Sequence, residues 1–291
     1  MNPNQNITIT ALGTRQSLWG EGPIWWKNAL YYVDIEGKAI VRLDPKSGDE
    51  HVWQLDQRIG CIAPCSDGHL LYAGDRGIAR FNLETKVSVA LCDPETNRPD
   101  NRFNDGKCDP SGRFWAGTIN TKKVTGTAAL YCLESDQKIT LKLSGLTNSN
   151  GLAWSSDGSR FFHVDTPRRS IRSYAYSADC AQIDAGKELV DTDALGFDSS
   201  PDGMCIDRQN RLWVAFCHGG CVACFDSVDG TLLSTIELPV VETTACTFGG
   251  PNMNQLFVTT GIKKDLAETN AGKIFVIDGL NASASPPHCF K

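Results

Sequence analysis

No apolar run in this chain approaches the roughly 20 residues that a membrane crossing needs, and no long segment shows a 3.6-residue apolar period. Those absences exclude a membrane-spanning helical protein and a helical bundle. Lysine and arginine total 28 against 34 aspartates and glutamates, a formal net charge of −6. They form no basic patch, so nucleic acid is not an expected partner. There is no Gly-x-Ser-x-Gly elbow, no supported Ser-His-Asp order and no glycine-rich phosphate loop. Serine-hydrolase, kinase and nicotinamide chemistry are left without residues to carry them. The start, Met1-Asn-Pro-Asn-Gln-Asn, has neither the charged region nor the apolar region of a secretion signal. No Pro/Ser-rich linker divides the chain, and one domain over residues 1–291 is expected.

Cysteine is plentiful, at 12 residues. A chain this long buries about three quarters of its unfolded surface and needs no stapling. Without a secretion signal, free thiols and a cytoplasmic setting are expected. Cys221-Val-Ala-Cys224 has redox or zinc spacing. It lacks a second pair, and on a strand the two thiols would face opposite sides, so a structural role is expected.

What is present is a repeat. Leu30-Tyr-Tyr-Val-Asp, Leu70-Leu-Tyr-Ala-Gly, Arg113-Phe-Trp-Ala-Gly, Arg160-Phe-Phe-His-Val, Arg211-Leu-Trp-Val-Ala and Gln255-Leu-Phe-Val-Thr each follow a polar turn. Their spacing, roughly 40–50 residues, is that of propeller blades. Several precede a second strand, as in Ala39-Ile-Val-Arg-Leu and Lys273-Ile-Phe-Val-Ile. β-Branched and aromatic residues fill these runs, and Gly, Asp, Asn and Pro punctuate them. Six four-stranded blades would use the whole chain, so the expected fold is an all-β, six-bladed β-propeller. The strand near Ile7-Thr-Ile-Thr is expected to complete the last blade and close the ring. Most tryptophans fall in blade strands and are read as core. Asp109, Asp157 and Asp207 precede turns and are read as turn formers.

Propellers work at one mouth of the central channel. Three blade entrances carry a side-chain oxygen before glycine and an apolar strand: Gly20-Glu21-Gly22-Pro23-Ile24-Trp25, Ser149-Asn150-Gly151-Leu152-Ala153-Trp154 and Pro201-Asp202-Gly203-Met204-Cys205-Ile206. Alone, each is an ordinary turn. At equivalent places in three blades, Glu21, Asn150 and Asp202 would point three oxygens at the axis. Such a hard-oxygen site suits one divalent cation: Ca²⁺, Mg²⁺ or Mn²⁺, with Zn²⁺ or Fe²⁺ tolerated. A fourth entrance, Asn104-Asp105-Gly106, has Arg102 beside it in what reads as a polar loop. Arg102, Asn104 and Asp105 are candidate substrate contacts. His218, at a strand end before Gly219-Gly220, is another, whereas His163 reads as a hydrogen-bonded strand residue.

Arg102-Phe-Asn-Asp-Gly-Lys, Ser149-Asn-Gly-Leu-Ala-Trp-Ser, Pro201-Asp-Gly-Met-Cys-Ile-Asp and Gly20-Glu-Gly-Pro-Ile-Trp resemble the signatures of the regucalcin (senescence marker protein)/gluconolactonase family. Thr243-Thr-Ala-Cys-Thr-Phe-Gly-Gly resembles the entry to that family's last blade. The likeness covers nearly the whole chain in order. It implies a six-bladed propeller that hydrolyses sugar lactones with one divalent cation. By that likeness Glu21, Asn150 and Asp202 hold the metal, Asn104 lies close to metal and substrate, and Arg102 holds sugar hydroxyls. Asp202 would also orient or deprotonate water. The chemistry suits the residues: a divalent cation polarises a lactone carbonyl and stabilises the oxyanion, and a carboxylate in reach accepts a proton.

The chain departs from the family in places. Animal regucalcins place an acidic sugar contact past the Ala-Gly-Thr strand, where this chain has Ile119-Asn120-Thr121-Lys122. Val164-Asp-Thr-Pro-Arg-Arg looks more like bacterial sugar lactonases, and His218 stands where relatives often carry Asn or Trp. These differences bear on sugar preference more than on reaction class. The expected partner is a small-molecule sugar lactone such as a glucono-, xylono- or arabinonolactone, with the protein acting as a monomer or weak oligomer. The alternatives are a calcium-binding propeller without turnover and a hydrolase of other esters.

Overall fold

In the computed structural model, which describes residues 6–291, each of the six repeated runs is the second strand of an antiparallel meander. Residues 1–5, on which the reading of the chain's start mostly rests, lie outside that range. The innermost strands are Gly20–Trp26, Ile59–Pro64, Asn101–Cys108, Ser149–Trp154, Ser200–Ile206 and Thr243–Gly249. Five blades have four strands; blade four has five, because its outer edge is split between Gln182–Ile183 and Lys187–Asp191. The expected closure is present. Thr8–Leu12 pairs with Ile274–Asp278 as the outer strand of blade six, so the chain's two ends lock one blade and the ring has no free seam. The one helical element among the described residues is the 3-10 turn Thr166–Arg168, and no helix is long and apolar enough to cross a membrane.

The repeat reads as unbroken apolar runs because blade strands are buried on both faces. All of Ala29–Asp34 is buried. Tyr31 and Val33 pack against blade two, and Leu30 and Tyr32 against blade six. The core accordingly divides into six layers, one between each neighbouring pair of blades. Trp115 centres the layer between blades three and four, with ring centroids 5.2 Å from Phe161 and 5.7 Å from Trp154. Truncating so large a buried ring would cost about 3–5 kcal/mol.

The Cys221/Cys224 pair follows the same geometry. Cys221 packs between blades four and five, and Cys224 on the opposite face between blades five and six. All twelve cysteines are free.

The aspartates read as turn formers hold the turns after the inner strands. Asp109 accepts from the N–H groups of Ser111 and Arg113, both at 2.9 Å, from the Trp115 indole at 3.0 Å and from the Tyr176 hydroxyl at 2.7 Å. Asp157 accepts from Ser155 and Ser159. The C-terminal tail crosses the same end of the channel. Arg208 donates its N–H to the Ser283 carbonyl at 2.8 Å, Phe290 to Pro64 at 2.8 Å and Lys291 to Gly112 at 3.2 Å. That leaves the other end of the inner strands as the open mouth.

Candidate metal and substrate site

Every inner strand is irregular at its mouth end. Pairing with the second strand slips between Glu21 and Ile24, Ile59 and Cys61, Phe103 and Asp105, Asn150 and Leu152, Pro201 and Met204, and Thr243 and Ala245. A bulge leaves a residue out of the ladder and re-aims its side chain. In blades three and five the skipped positions include Asn104 and Asp202, and in blades one and four the slip directly follows Glu21 and Asn150, which still pair with Val33 and Val164. In blade two the bulge is at Gly60, which has no side chain. In blade six it is at Thr244, whose hydroxyl donates to the Gly20 carbonyl at 2.5 Å. The segment from Arg102, expected as a loop, is therefore strand, and the bulge presents its polar groups to the mouth.

The glycine after each oxygen has a steric cause. The inner strands converge on the axis, and a Cβ at Gly203 would lie 2.3 Å from the Ala245 Cβ. At Gly151 a Cβ would lie 2.7 Å from the Asp202 carbonyl oxygen, and φ there is +30°. No L side chain fits either place without moving a neighbouring strand.

Glu21, Arg102, Asn104, Asn150, Asp202 and His218 line one cleft of about 610 Å³ at the mouth. Asp105 is not among the lining residues. It is buried below, and its carboxylate accepts the Gly106 N–H at 2.7 Å. The stretch read as lacking an acidic sugar contact lines the cleft with Ile119, Asn120, Thr121 and Lys123.

Glu21, Asn150 and Asp202 are 5%, 2% and 4% exposed. The Asn150 amide nitrogen donates to the Thr166 hydroxyl at 3.0 Å. That leaves Asn150 Oδ1 buried without a donor, and Asp202 Oδ1 is in the same condition. Such oxygens are costly unless something satisfies them. Burial pushes the Glu21 carboxyl well above its ordinary range, and the charges of Asp202 and Asp105 push it further. Burial, then the charge of Asp105, does the same to Asp202. Asp105 is raised by burial. Two buried carboxyls lining one cleft, Glu21 and Asp202, with the orphaned oxygens of Asn150 and Asp202, offer oxygen donors of the kind a divalent cation takes.

Arg102 and Asn104 form one unit. The guanidinium donates to the Phe103 carbonyl at 2.8 Å and to Asn104 Oδ1 at 3.0 Å, and Asn104 Nδ2 donates to the Ser149 carbonyl at 3.1 Å. Burial, with Arg58 nearby, lowers the Arg102 pKa to about 10. Arg102 thus braces Asn104 while both face the cleft. His163 is structural, as expected. It is buried beside Ser149 Oγ at 2.8 Å, and burial holds its pKa down at about 3.

Sequence reasoning did not single out Trp19, which also lines the cleft, or Glu242, which contacts His218. Glu242 had one visible signal: it is an acid directly before the apolar run that opens blade six.

A family model described as "SMP-30/Gluconolactonase/LRE-like region" matches residues 19–262. Regucalcin of Gallus gallus is 30% identical over 297 residues, spanning 98% of this chain and 99% of that protein. A solved calcium-binding protein, regucalcin from Agrobacterium tumefaciens, superposes with a TM-score of 0.90 at 26% identity, covering 97% of this chain and 96% of that one. A solved luciferin-regenerating enzyme gives a TM-score of 0.92 at 26% identity, covering 98% and 100%. With the model spanning most of the chain and the blades aligned from end to end, this protein belongs to the SMP-30/gluconolactonase/LRE-like family.

Proposed function

We propose that the protein opens sugar lactones to their aldonic acids, using one divalent cation held by Glu21, Asn150 and Asp202. The observation that carries this reading is the pair of buried oxygens, Asn150 Oδ1 and Asp202 Oδ1, left without donors beside the Glu21 carboxyl. Family membership supports lactonase-type chemistry. The all-oxygen donor set favours Ca²⁺, Mg²⁺ or Mn²⁺ and accommodates Zn²⁺ or Fe²⁺.

When bound, the cation supplies Lewis-acid polarisation of the lactone carbonyl. The chain's own residues do the rest. Asp202 orients the attacking water and accepts its proton. Arg102 offers donors to sugar hydroxyls, Asn104 is pre-oriented by Arg102 and the Ser149 carbonyl, and His218, on the blade-five side of the cleft, is a further substrate contact. Asp105, below the cleft, acts on the site through its charge rather than by touching sugar. Twelve free thiols support a cytoplasmic protein.

A second reading is a calcium-binding propeller without turnover, favoured by the calcium-binding description of the Agrobacterium relative. Acid release from glucono-, galactono-, xylono- and arabinonolactone, measured after chelation and on adding back each cation, separates the two. Metal-dependent hydrolysis is expected. Tight calcium binding with no hydrolysis of any lactone under any cation would establish the second reading.

A further inference from the structure

On the wall of the cleft formed by blade five, His218 follows the strand Arg211–Cys217. Its Nδ1 lies 2.8 Å from Glu242 Oε1 and 2.7 Å from Oε2. Glu242 belongs to a different blade, just before the inner strand Thr243–Gly249 of blade six, and its side chain is only 2% exposed. The same carboxylate also accepts the His218 N–H at 3.2 Å and faces the Cys217 Sγ at 3.7 Å. A carboxylate can only accept, so Nδ1 carries a proton and Nε2 is the nitrogen left for substrate. The imidazole is 59% exposed and lines the same cleft as Glu21 and Asp202. His218 also has φ = +67°, a conformation for which glycine is the usual choice. The fold therefore keeps an imidazole where a glycine would sit with less strain, and anchors it across a blade boundary to a buried acid.

We propose that His218, oriented by Glu242, is the acid that protonates the departing ring oxygen when the lactone opens. The inference rests on the lactonase reading above and extends it to the leaving group. Water oxygen bonds to the carbonyl carbon, and the water proton passes to Asp202. The bond from that carbon to the ring oxygen breaks, its electron pair goes to the ring oxygen, and the proton on Nε2 of the imidazolium is transferred there. Solvent in the open cleft carries a proton from Asp202 back to His218, so lactone plus water gives the hydroxy acid with nothing left over. His218 touches the reacting atoms, whereas Glu242 is a positioning residue. An aliphatic alkoxide is a poor leaving group that needs this proton, and a phenolate does not.

The experiment compares a sugar lactone with dihydrocoumarin, whose ring opens to a phenol. His218→Gly is the variant of choice, because φ = +67° suits glycine and the fold should be retained. Turnover of gluconolactone should fall about 100-fold or more, the scale of a lost general acid. The loss on dihydrocoumarin should be smaller by at least about tenfold. Added imidazole should restore part of the gluconolactone activity. Glu242→Gln should show the same leaving-group dependence to a lesser degree, which loss of packing alone would not produce. Equal losses on both substrates, or no loss on gluconolactone, would overturn the proposal while leaving the lactonase reading intact. If the unmodified protein does not open dihydrocoumarin, imidazole rescue on gluconolactone decides in its place, and absence of rescue overturns the proposal. If the unmodified protein, supplied with each cation, opens neither lactone, the lactonase reading fails and this inference fails with it.

Discussion

Asp202 and Asp207 stand at opposite ends of one inner strand, both buried, in opposite electrostatic conditions. Asp207 is surrounded by donors. It accepts the N–H groups of Gln209 and Arg211, both at 2.9 Å, the Arg211 Nε at 2.7 Å and the Trp213 indole at 3.0 Å. Asp202 has an orphaned oxygen and two other buried carboxyls for company. The first is a charge the fold satisfies internally, and the second is a charge the fold leaves for something outside the chain. Asp109 repeats the first condition in blade three, and Glu21 in blade one shares part of the second: it accepts the Gly22 N–H at 2.9 Å and is raised by the charges of Asp202 and Asp105. In the proposed site, then, the telling feature of a buried acid is an oxygen the fold leaves without a donor, as at Asp202.

Exchanging the two conditions gives the largest effects. Asp202→Asn should bring lactone hydrolysis down to the spontaneous rate and weaken metal binding. The melting temperature of the metal-free protein should hold or rise, since a repelling charge is removed. Asp207→Ala should do the reverse. It strands Arg211 and the Trp213 indole and should cost about 3 kcal/mol, the low end for a broken buried pair because Arg211 is 25% exposed. The folded fraction should keep its kinetics. Denaturation curves with steady-state rates for both variants check this. Equal destabilisation by both would dissolve the distinction.

The same contrast sets a pH dependence. Burial raises the carboxyls of Glu21, Asp105 and Asp202, the charge of Asp105 adds to the shift at Asp202, and the charges of Asp202 and Asp105 add to it at Glu21. The folded metal-free state therefore binds more protons than the unfolded chain once pH exceeds the ordinary carboxyl value of about 4. Its stability should fall as pH rises from there, and a bound cation should abolish the decline. Thermal melts across that range with chelator and with calcium measure the difference. Parallel curves would mean that the three acids do not share a buried site.

Arg102 and Asn104 test a finer version, since they serve each other and face the cleft. Losing a hydrogen bond from a charged donor costs about 1.5–3 kcal/mol, or roughly 10- to 100-fold in kcat/KM. Arg102→Ala and Asn104→Ala should each show that loss with little change in metal affinity or melting temperature. The double variant should lose less than the product of the two, because each single change already breaks the 3.0 Å bond between them. Multiplicative losses would show that they act separately. A large stability loss with unchanged kinetics would show that both are architectural.

The smallest effect is expected at the cysteine pair. Cys221→Ala and Cys224→Ala should each cost about 1 kcal/mol. The costs should add, since the two thiols lie in different interblade layers, and turnover should not change. Denaturation of the single and double variants tests additivity.

Several of these features were legible in residue order. The six repeated runs, the closing strand near Ile7, the turn-forming Asp109, Asp157 and Asp207, and the structural role of His163 all depend on neighbours close in sequence or on simple alternation. The bulges were not legible. They arise where inner strands crowd at the axis, and they turned an expected loop at Arg102 into strand and left Asp105 beneath the cleft. Thr166, which holds the Asn150 amide, follows the second strand of blade four, and nothing in its own segment marks that contact. Glu242 and His218 meet across a blade boundary, a proximity no local pattern encodes.

By itself the sequence determined a six-bladed ring and the residue types available at its mouth, because strand alternation and turn chemistry act over a few neighbouring residues. Only the tertiary structure decided which buried acids are satisfied and which, like Asp202, keep an oxygen without a donor. A side chain's partners come from whichever strands the closed ring brings alongside it, and those lie up to a whole chain apart.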